Sequence, residues 1–144
     1  MTTTPGSGPE PAAPSGPSGP VRVVAVISGR GQTLVIRPRT TTGGPRWRFP
    51  SGETEPGESL EQSAVRAARE ETGLTVTAGE RLGKRIRTGR HLTYIACTPA
   101  GGTAYRASPR EIAEVAWISR EPAVLDSYLP GLHEPVRDHL VSGP

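Results

Sequence analysis

The sequence predicts a mixed α/β domain with one long internal helix. Residues 21–28 are β-branched and almost wholly apolar, which is typical of a buried strand. Residues 60–72 contain no Gly or Pro and are rich in Ala, Arg and Glu, which favours a helix. Further apolar runs follow this helix. The predicted order is therefore strand, strand, helix, several strands, helix.

The elements before and within the helix can be justified from local signals. A turn at residues 29–32 leads into a second predicted strand over 33–37, and a polar, Gly-containing loop is expected over 38–45. Residues 47–49 are expected to be extended because Pro50 follows them. For the helix, Ser59 is a good N-cap with Gln62 three residues later, and Gly73 is a suitable residue to end it.

The elements after the helix are shorter. The predicted strands cover residues 74–78, 85–87, 92–98 and 114–119. The second and third are joined by a turn at 88–90, and a loop over 99–109 precedes the last strand. A terminal helix is predicted over 132–141, where Pro135 is tolerated in the first turn.

Composition limits the domain organisation. The chain has 144 residues, enough for one domain, and the excess among its 18 glycines and 16 prolines is concentrated at the front. Residues 1–20 hold six prolines, four glycines, three serines and one charged residue, so they are expected to form a disordered tail. The domain is expected to span residues 21–144.

Several classes of protein are excluded by composition. No apolar run approaches the length of a membrane span, and the N-terminus has neither a basic start nor an apolar stretch, so no secretory signal is expected. A single cysteine, Cys97, cannot form an internal disulfide, which favours a reducing cytoplasm. The net charge of +3 is too small to argue for a nucleic-acid partner.

The internal helix carries the most informative side chains. Arg66, Glu70 and Glu71 lie at helical spacings that place them on one side. Two adjacent carboxylates in the last turn repel each other and oppose the helix dipole. One interpretation is a solvated face with Arg–Glu pairs. The other is a site for a hard divalent cation, which oxygen ligands bind.

The wider spacing distinguishes these interpretations. A glycine, five residues, a glutamate, seven residues and an arginine precede the paired glutamates, and a glycine and an apolar residue follow them. The matching positions are Gly52, Glu58, Arg66, Glu70, Glu71, Gly73 and Leu74. This pattern resembles the box of the Nudix family, and the preceding Trp-Arg-Phe-Pro and the later Glu-Val-Ala-Trp-Ile also look like that family. The resemblance covers roughly residues 21–141.

The resemblance implies a fold, a cofactor and a reaction. The fold is an α/β/α sandwich with a mixed β-sheet, and the box is a loop–helix–loop that holds Mg²⁺ or Mn²⁺. The reaction is metal-dependent hydrolysis of a nucleoside diphosphate derivative or a nucleotide pyrophosphate bond. By this resemblance, the metal ligands are Glu58, Glu70, Glu71 and a backbone carbonyl near Ser51, and Arg66 orients the carboxylates.

Two positions depart from the family pattern. Ala67 stands where the family has Glu, and Ser51 stands where it usually has Gly. The change at Ala67 removes a carboxylate that in some members helps to activate the water. A catalytic base outside the box is then needed, and Glu111 is the favoured candidate; the other candidates are Glu53, Glu55 and Glu114. The alternative hypothesis is a catalytically impaired, Nudix-like protein that binds nucleotides or has a regulatory role.

The substrate side is less specific. Arg37 and Arg48 flank the loop before the box, and either is expected to contact substrate phosphates or to be a solvated surface residue. The expected partner is a small nucleotide-type substrate, with no membrane partner. The sequence leaves the oligomeric state open, and a homodimer is one option because dimers are frequent in the family. The selective loops carry no signature that identifies the substrate.

Overall fold

The computed structural model of the chain describes residues 21–40 and 46–143. In these residues six strands and three helices follow one another as β1 Arg22–Gly29, β2 Gln32–Pro38, β3 Ser51–Glu53, α1 Leu60–Thr72, β4 Thr75–Arg87, β5 Arg90–Gly101, β6 Ile112–Ser119, α2 Pro122–Tyr128 and α3 Glu134–Ser142. The tail predicted for residues 1–20 and part of the predicted 38–45 loop lie outside the described residues.

The strands form one mixed sheet between two helical layers. Its order is β4-β5-β1-β2-β6, and β3 pairs with β1. The β1–β5 pair is parallel and the other pairs are antiparallel. Successive residues of β1 point to opposite faces of the sheet, and each face has its own hydrophobic core. Val23 belongs to the same core as Ala68 of α1, and Val24 belongs to the same core as Leu140 of α3. The predicted α/β/α sandwich with a mixed sheet is confirmed.

A fork between β1 and β2 positions the region before α1. The two strands pair close to their connecting turn, at Ser28–Thr33 and Gly29–Gln32. Farther along, residues 48–53 run between the strands: the Ala25 N–H donates to the Pro50 carbonyl at 2.9 Å, and β3 pairs with β1. This insertion brings residues 48–51 to the middle of the sheet.

Helix α1 begins and ends as its sequence predicts. The Gln62 N–H donates to the Ser59 hydroxyl at 3.0 Å, and the Ser59 N–H donates to the Gln62 side-chain oxygen at 2.8 Å. Gly73 adopts φ 71°, the left-handed conformation that glycine accepts readily, and its N–H donates to the Arg69 carbonyl. The predicted capping box and the glycine end are confirmed.

The capping box gives a first testable prediction. We expect Ser59→Ala to lower the free energy of unfolding by about 1 kcal/mol, because the Gln62 N–H loses its side-chain acceptor. Urea unfolding measures the change. The control is Ser127→Ala, an exposed position in α2, for which we expect less than about 0.5 kcal/mol. An equal effect of both substitutions would contradict the contribution of the cap.

Other boundaries differ from the prediction. The strands predicted at 74–78 and 85–87 are parts of one strand, β4, which begins at Thr75 and whose register shifts at Ala78/Arg81 and Arg81/Gly83. Its glycines and charged residues interrupt the alternation that indicates a strand. Strand β5 runs through Pro99 to Gly101 into the predicted loop. Strand β3 and helix α2 were not predicted because, at 3 and 7 residues, they are too short for a periodic signal.

Candidate active site

An open cleft lies where residues 51–55, the end of α1 and residues 108–111 meet. Its volume is about 660 Å³. Five carboxylates line it, against the guanidinium groups of Arg22 and Arg66. These carboxylates belong to Glu53, Glu55, Glu70, Glu71 and Glu111. The structure therefore places four residues predicted as catalytic (Arg66, Glu70, Glu71 and Glu111) around one space, with Ser51 beside them.

Glu71 is the buried carboxylate of the cleft. Its side chain is 11% exposed. One oxygen accepts a hydrogen bond from the Ser51 N–H at 3.0 Å, and the other accepts from Arg48 Nη2 at 3.2 Å. These donors satisfy both oxygens of a side chain that is largely withdrawn from water. They also attach the end of α1 to the segment inserted in the sheet.

The serine at position 51 has a defined role in this network. Its hydroxyl accepts hydrogen bonds from Arg48 Nη1 at 2.9 Å and from Arg22 Nε at 3.2 Å. Glycine, the residue usual in the family, offers no such acceptor. The departure at Ser51 therefore orients two guanidinium groups at the edge of the cleft.

Glu58 is held by α1 and not by the other carboxylates. Its Oε2 accepts from Arg66 Nε at 2.6 Å, and its Oε1 accepts from the Ser63 hydroxyl at 2.6 Å and from Arg66 Nη2 at 3.0 Å. The hydrogen bonds from Arg66, followed by that from Ser63, lower the pKa of Glu58 to about 2. Both oxygens accept hydrogen bonds from protein donors, which gives Glu58 a positioning contact with Arg66, and its role as a metal ligand stays a prediction.

Arg66 connects the box loop with the end of the helix. Besides Glu58, it donates to the Glu53 carbonyl at 2.6 Å and to Glu70 Oε1 at 3.0 Å. Glu70 remains 58% exposed. Arg66 thus donates to the carboxylates of both Glu58 and Glu70, as expected of a residue that orients them.

The low pKa of Glu58 gives a second prediction, for stability against pH. The unfolded carboxyl takes up a proton near its ordinary pKa of 4.5, whereas the folded one does so near 2. Its stabilising contribution is therefore complete above about pH 5 and disappears as the pH falls toward 2. We expect the difference in unfolding free energy between the wild type and Glu58→Gln to shrink over that range.

Chemical denaturation at several pH values measures this difference. The control is Glu80→Gln, because Glu80 is exposed and its substitution leaves the Arg66 network intact. Its difference from the wild type is expected to stay flat with pH. A Glu58→Gln difference that is also flat would show that the folded protein does not hold this carboxylate in its charged form.

The loop after β5 closes one side of the cleft. The Tyr105 N–H donates to the Thr72 carbonyl at 2.8 Å, the Ala107 N–H to the Glu71 carbonyl at 3.3 Å, and the Ser108 hydroxyl to the Glu70 carbonyl at 2.6 Å. The last carbonyls of a helix lack partners within it. Residues 102–111 satisfy these carbonyls and thereby place Glu111 at the cleft.

The cleft has the donor chemistry of a divalent-cation site. Carboxylate oxygens are hard ligands, and the excess of negative over positive groups favours a bound cation. Among the described residues, no group of three His, Cys, Asp or Glu side chains converges closely enough to hold an ion. The carboxylates thus match Mg²⁺ or Mn²⁺ in ligand type and charge but do not form a complete coordination site, and Glu70 and Glu71 are the candidate ligands.

A second cavity of about 330 Å³ adjoins the cleft, and Arg22 and Ser51 line both. We call it the side pocket. Its walls are mostly apolar or aromatic, with arginines at several points. The lining residues include Trp47, Arg48, Phe49, Arg85, Arg87, Leu92, Tyr94, Leu129 and Leu132. The two cavities therefore adjoin at Arg22 and Ser51, and we call them together the recess.

The two arginines predicted to contact substrate differ in position. Arg48 lines the side pocket and reaches Glu71. Arg37 lines neither cavity, because it pairs across β2 and β6 with Glu114, its Nε lying 2.8 Å from Oε1. The predicted substrate contact of Arg37 is thus corrected to a cross-strand ion pair. The same pair engages Glu114, one of the alternative bases.

Three basic residues of the recess were not predicted. Arg22 is the only charged residue of the apolar run at 21–28, and a charge within a buried strand indicates a candidate functional residue. Arg85 and Arg87 alternate along β4, so they share a face of the strand. The spacing is visible in the sequence. What they face depends on the long-range pairing of β4, which a local pattern does not give.

Comparison with known proteins identifies the family. The model of the NUDIX domain matches residues 17–140, so the chain belongs to this family. In the described part of the chain, no helix combines the length and apolar character needed to cross a membrane.

Individual relatives agree with this family. A Bacillus subtilis (strain 168) protein named "Putative 8-oxo-dGTP diphosphatase" is 32% identical over 100 residues, which are 67% of this chain and 63% of that protein. The Escherichia coli (strain K12) protein named CTP pyrophosphohydrolase is 41% identical over 59 residues, covering 40% of this chain and 44% of the relative. The matches thus span less than two thirds of these relatives.

A solved structure shows the same fold. The crystal structure of a NUDIX hydrolase from Nitrosomonas europaea superposes with a TM-score of 0.69 at 18% identity. The match covers 84% of this chain and 69% of the other.

Proposed function

We propose that the protein hydrolyses a pyrophosphate bond in a nucleotide or a nucleoside diphosphate derivative and that it depends on Mg²⁺ or Mn²⁺. One observation carries this proposal: the cleft lined by carboxylates shares Arg22 and Ser51 with a neighbouring side pocket that has apolar walls and arginines. A nucleotide has the same division, with a charged pyrophosphate at one end and a flat ring at the other.

Each part of the recess has a role in this reaction. Arg22 and Arg48 bind phosphate oxygens at the junction of the cleft and the side pocket. Glu70 and Glu71 hold the cation, which when bound neutralises the pyrophosphate and polarises it. Arg66 keeps Glu70 in place. The aromatic rings of Trp47 and Tyr94 offer apolar surface to the remainder of the substrate.

The water needs a base, and Glu111 is the residue that we propose. Its position at the cleft, fixed by the loop that caps α1, places a carboxylate across from the end of the helix. The water oxygen forms a bond to phosphorus while the bond from phosphorus to the bridging oxygen breaks, and the proton of the water moves to Glu111.

The similar proteins support the substrate class. Two of the curated relatives are named for 8-oxo-dGTP and for CTP, which are both nucleoside triphosphates. For this chain a nucleotide is accordingly the proposed class. A cytoplasmic location and a homodimer stay predictions, which cell fractionation and light scattering would check.

The experiment that tests this proposal is a panel of nucleoside triphosphates and diphosphate derivatives with the purified full chain. Phosphate, pyrophosphate and nucleotide release are measured with Mg²⁺, with Mn²⁺ and with a chelator. We expect hydrolysis of at least one compound with either metal and none with the chelator. Absence of turnover throughout, or turnover insensitive to chelation, would reject the proposal.

A second candidate function follows from Ala67, which is 1% exposed where the family has Glu. In that case the protein binds nucleotides for a regulatory role without hydrolysing them at a significant rate. Thermal stabilisation by a nucleotide, together with absence of turnover in the same panel, would identify this function.

A further inference from the structure

The far wall of the side pocket carries positive charge that the protein does not neutralise. Arg85 and Arg87 both line it from β4. Arg85 donates to the Tyr94 hydroxyl at 3.1 Å and to the Gly131 carbonyl at 3.3 Å, which are both uncharged acceptors. Within residues 21–40 and 46–143, neither arginine forms a salt bridge.

The side pocket is also poor in groups that accept hydrogen bonds. Among the described residues that line it there is no carboxylate and no carboxamide. Its polar side chains are four arginines and the hydroxyl groups of Thr40, Ser51 and Tyr94. A ligand that reaches the far wall therefore meets mainly donors and positive charge, and a group with only acceptors fits it best.

The spacing of the two arginines indicates the size of that group. Residues two apart on a strand are separated by about 6.7 Å along it, so the long side chains of Arg85 and Arg87 can converge on one small group. A phosphate monoester has three terminal oxygens and nearly two negative charges at neutral pH. It matches two guanidinium groups better than a carboxylate, which has a single charge.

We propose that the side pocket selects nucleotides that carry a second phosphate, as a monoester on the sugar remote from the pyrophosphate, and that Arg85 and Arg87 bind it. The identity of the recess as the substrate site rests on the proposed function. Leu92 of β5 pairs with Arg22 of β1 on one side and with Arg85 of β4 on the other, so the width of one strand separates Arg85 from the junction at Arg22 and leaves space for a sugar and a ring.

The test uses pairs of ligands that differ by one phosphate. NAD⁺ and NADP⁺ differ at the 2′ position, and AMP and adenosine 3′,5′-bisphosphate differ at the 3′ position. Dissociation constants are measured by calorimetry without added metal, so that binding is read without turnover. We expect about tenfold tighter binding of the phosphorylated member in at least one pair. The pair that responds identifies the position of the phosphate.

Variants connect this preference to the arginines. In Arg87→Gln we expect the preference to fall below about threefold, because one of the two guanidinium groups is lost. The control is Lys84→Gln, which removes the same charge from the opposite face of the same strand and is expected to keep the preference. Circular dichroism checks that both variants fold.

The outcomes separate this proposal from the hydrolytic one. Equal affinities within both pairs, no binding of any of the four ligands, or a preference that Lys84→Gln removes as fully as Arg87→Gln would overturn the phosphate pocket. A preference that persists in a protein without turnover would instead reject hydrolysis and leave the pocket in place.

Discussion

Glu71→Gln is expected to lower turnover about 10²–10⁴-fold while the protein remains folded. The substitution keeps the shape of the side chain and removes one negative charge from the cleft. Glu71 is a candidate cation ligand, and its carboxylate also holds the side chain of Arg48. Both the affinity for the metal and the binding of phosphate at Arg48 therefore weaken together. The measurement is the rate on the best substrate of the panel across a range of metal concentrations.

Glu80→Gln is the matched control for this prediction. It removes the same charge from an exposed position on β4 that lines neither the cleft nor the side pocket. We expect its rate to stay within about twofold of the wild type, in line with the small effects of surface substitutions. If Glu71→Gln matched this control, the buried carboxylate would have no part in the reaction.

Ala67→Glu is expected to raise turnover about 10–100-fold. Position 67 lies three and four residues before Glu70 and Glu71 and shares their side of α1. A carboxylate there adds a hard ligand to a cleft whose described acidic side chains do not yet converge on an ion. Initial rates at saturating metal measure the change.

Ala67→Gln controls for size without charge. Position 67 is buried, and a β-carbon on Gly52 would lie 3.3 Å from that of Ala67, so either long side chain needs the loop to shift. We expect both variants to lose some thermal stability and only the glutamate variant to gain rate. No gain with glutamate would indicate that another carboxylate, Glu111 first, already serves the reaction.

Much of the fold could be predicted because its signals are local. The apolar run of β1, the capping box at Ser59 and Gln62, and Gly73 each act within a few residues. Interruptions by glycine and charge concealed the full length of β4, and the insertion of residues 48–53 between β1 and β2 has no local signature. Such pairings depend on contacts distant in the sequence.

The site could be predicted in part for the same reason. The spacing of Arg66, Glu70 and Glu71 along one helix fixes their common side, whatever the rest of the chain does. The hydrogen bonds between Glu58 and Arg66 do not follow from the sequence alone, because a carboxylate before the helix can reach either a cation or an arginine. Arg37 was misplaced because its partner Glu114 is 77 residues away. Arg37 and Glu114 lie opposite each other because β2 and β6 are adjacent strands of the sheet.

The loop that caps α1 has a consequence for redesign. Residues 102–111 serve two purposes at once, since they complete the hydrogen bonds of the helix end and carry Glu111. Insertions there would disturb the reaction centre and the scaffold together. Strand β4, in contrast, lines the side pocket with the side chains of Arg85 and Arg87. New specificities are therefore best sought by varying that strand while the capping loop keeps its length.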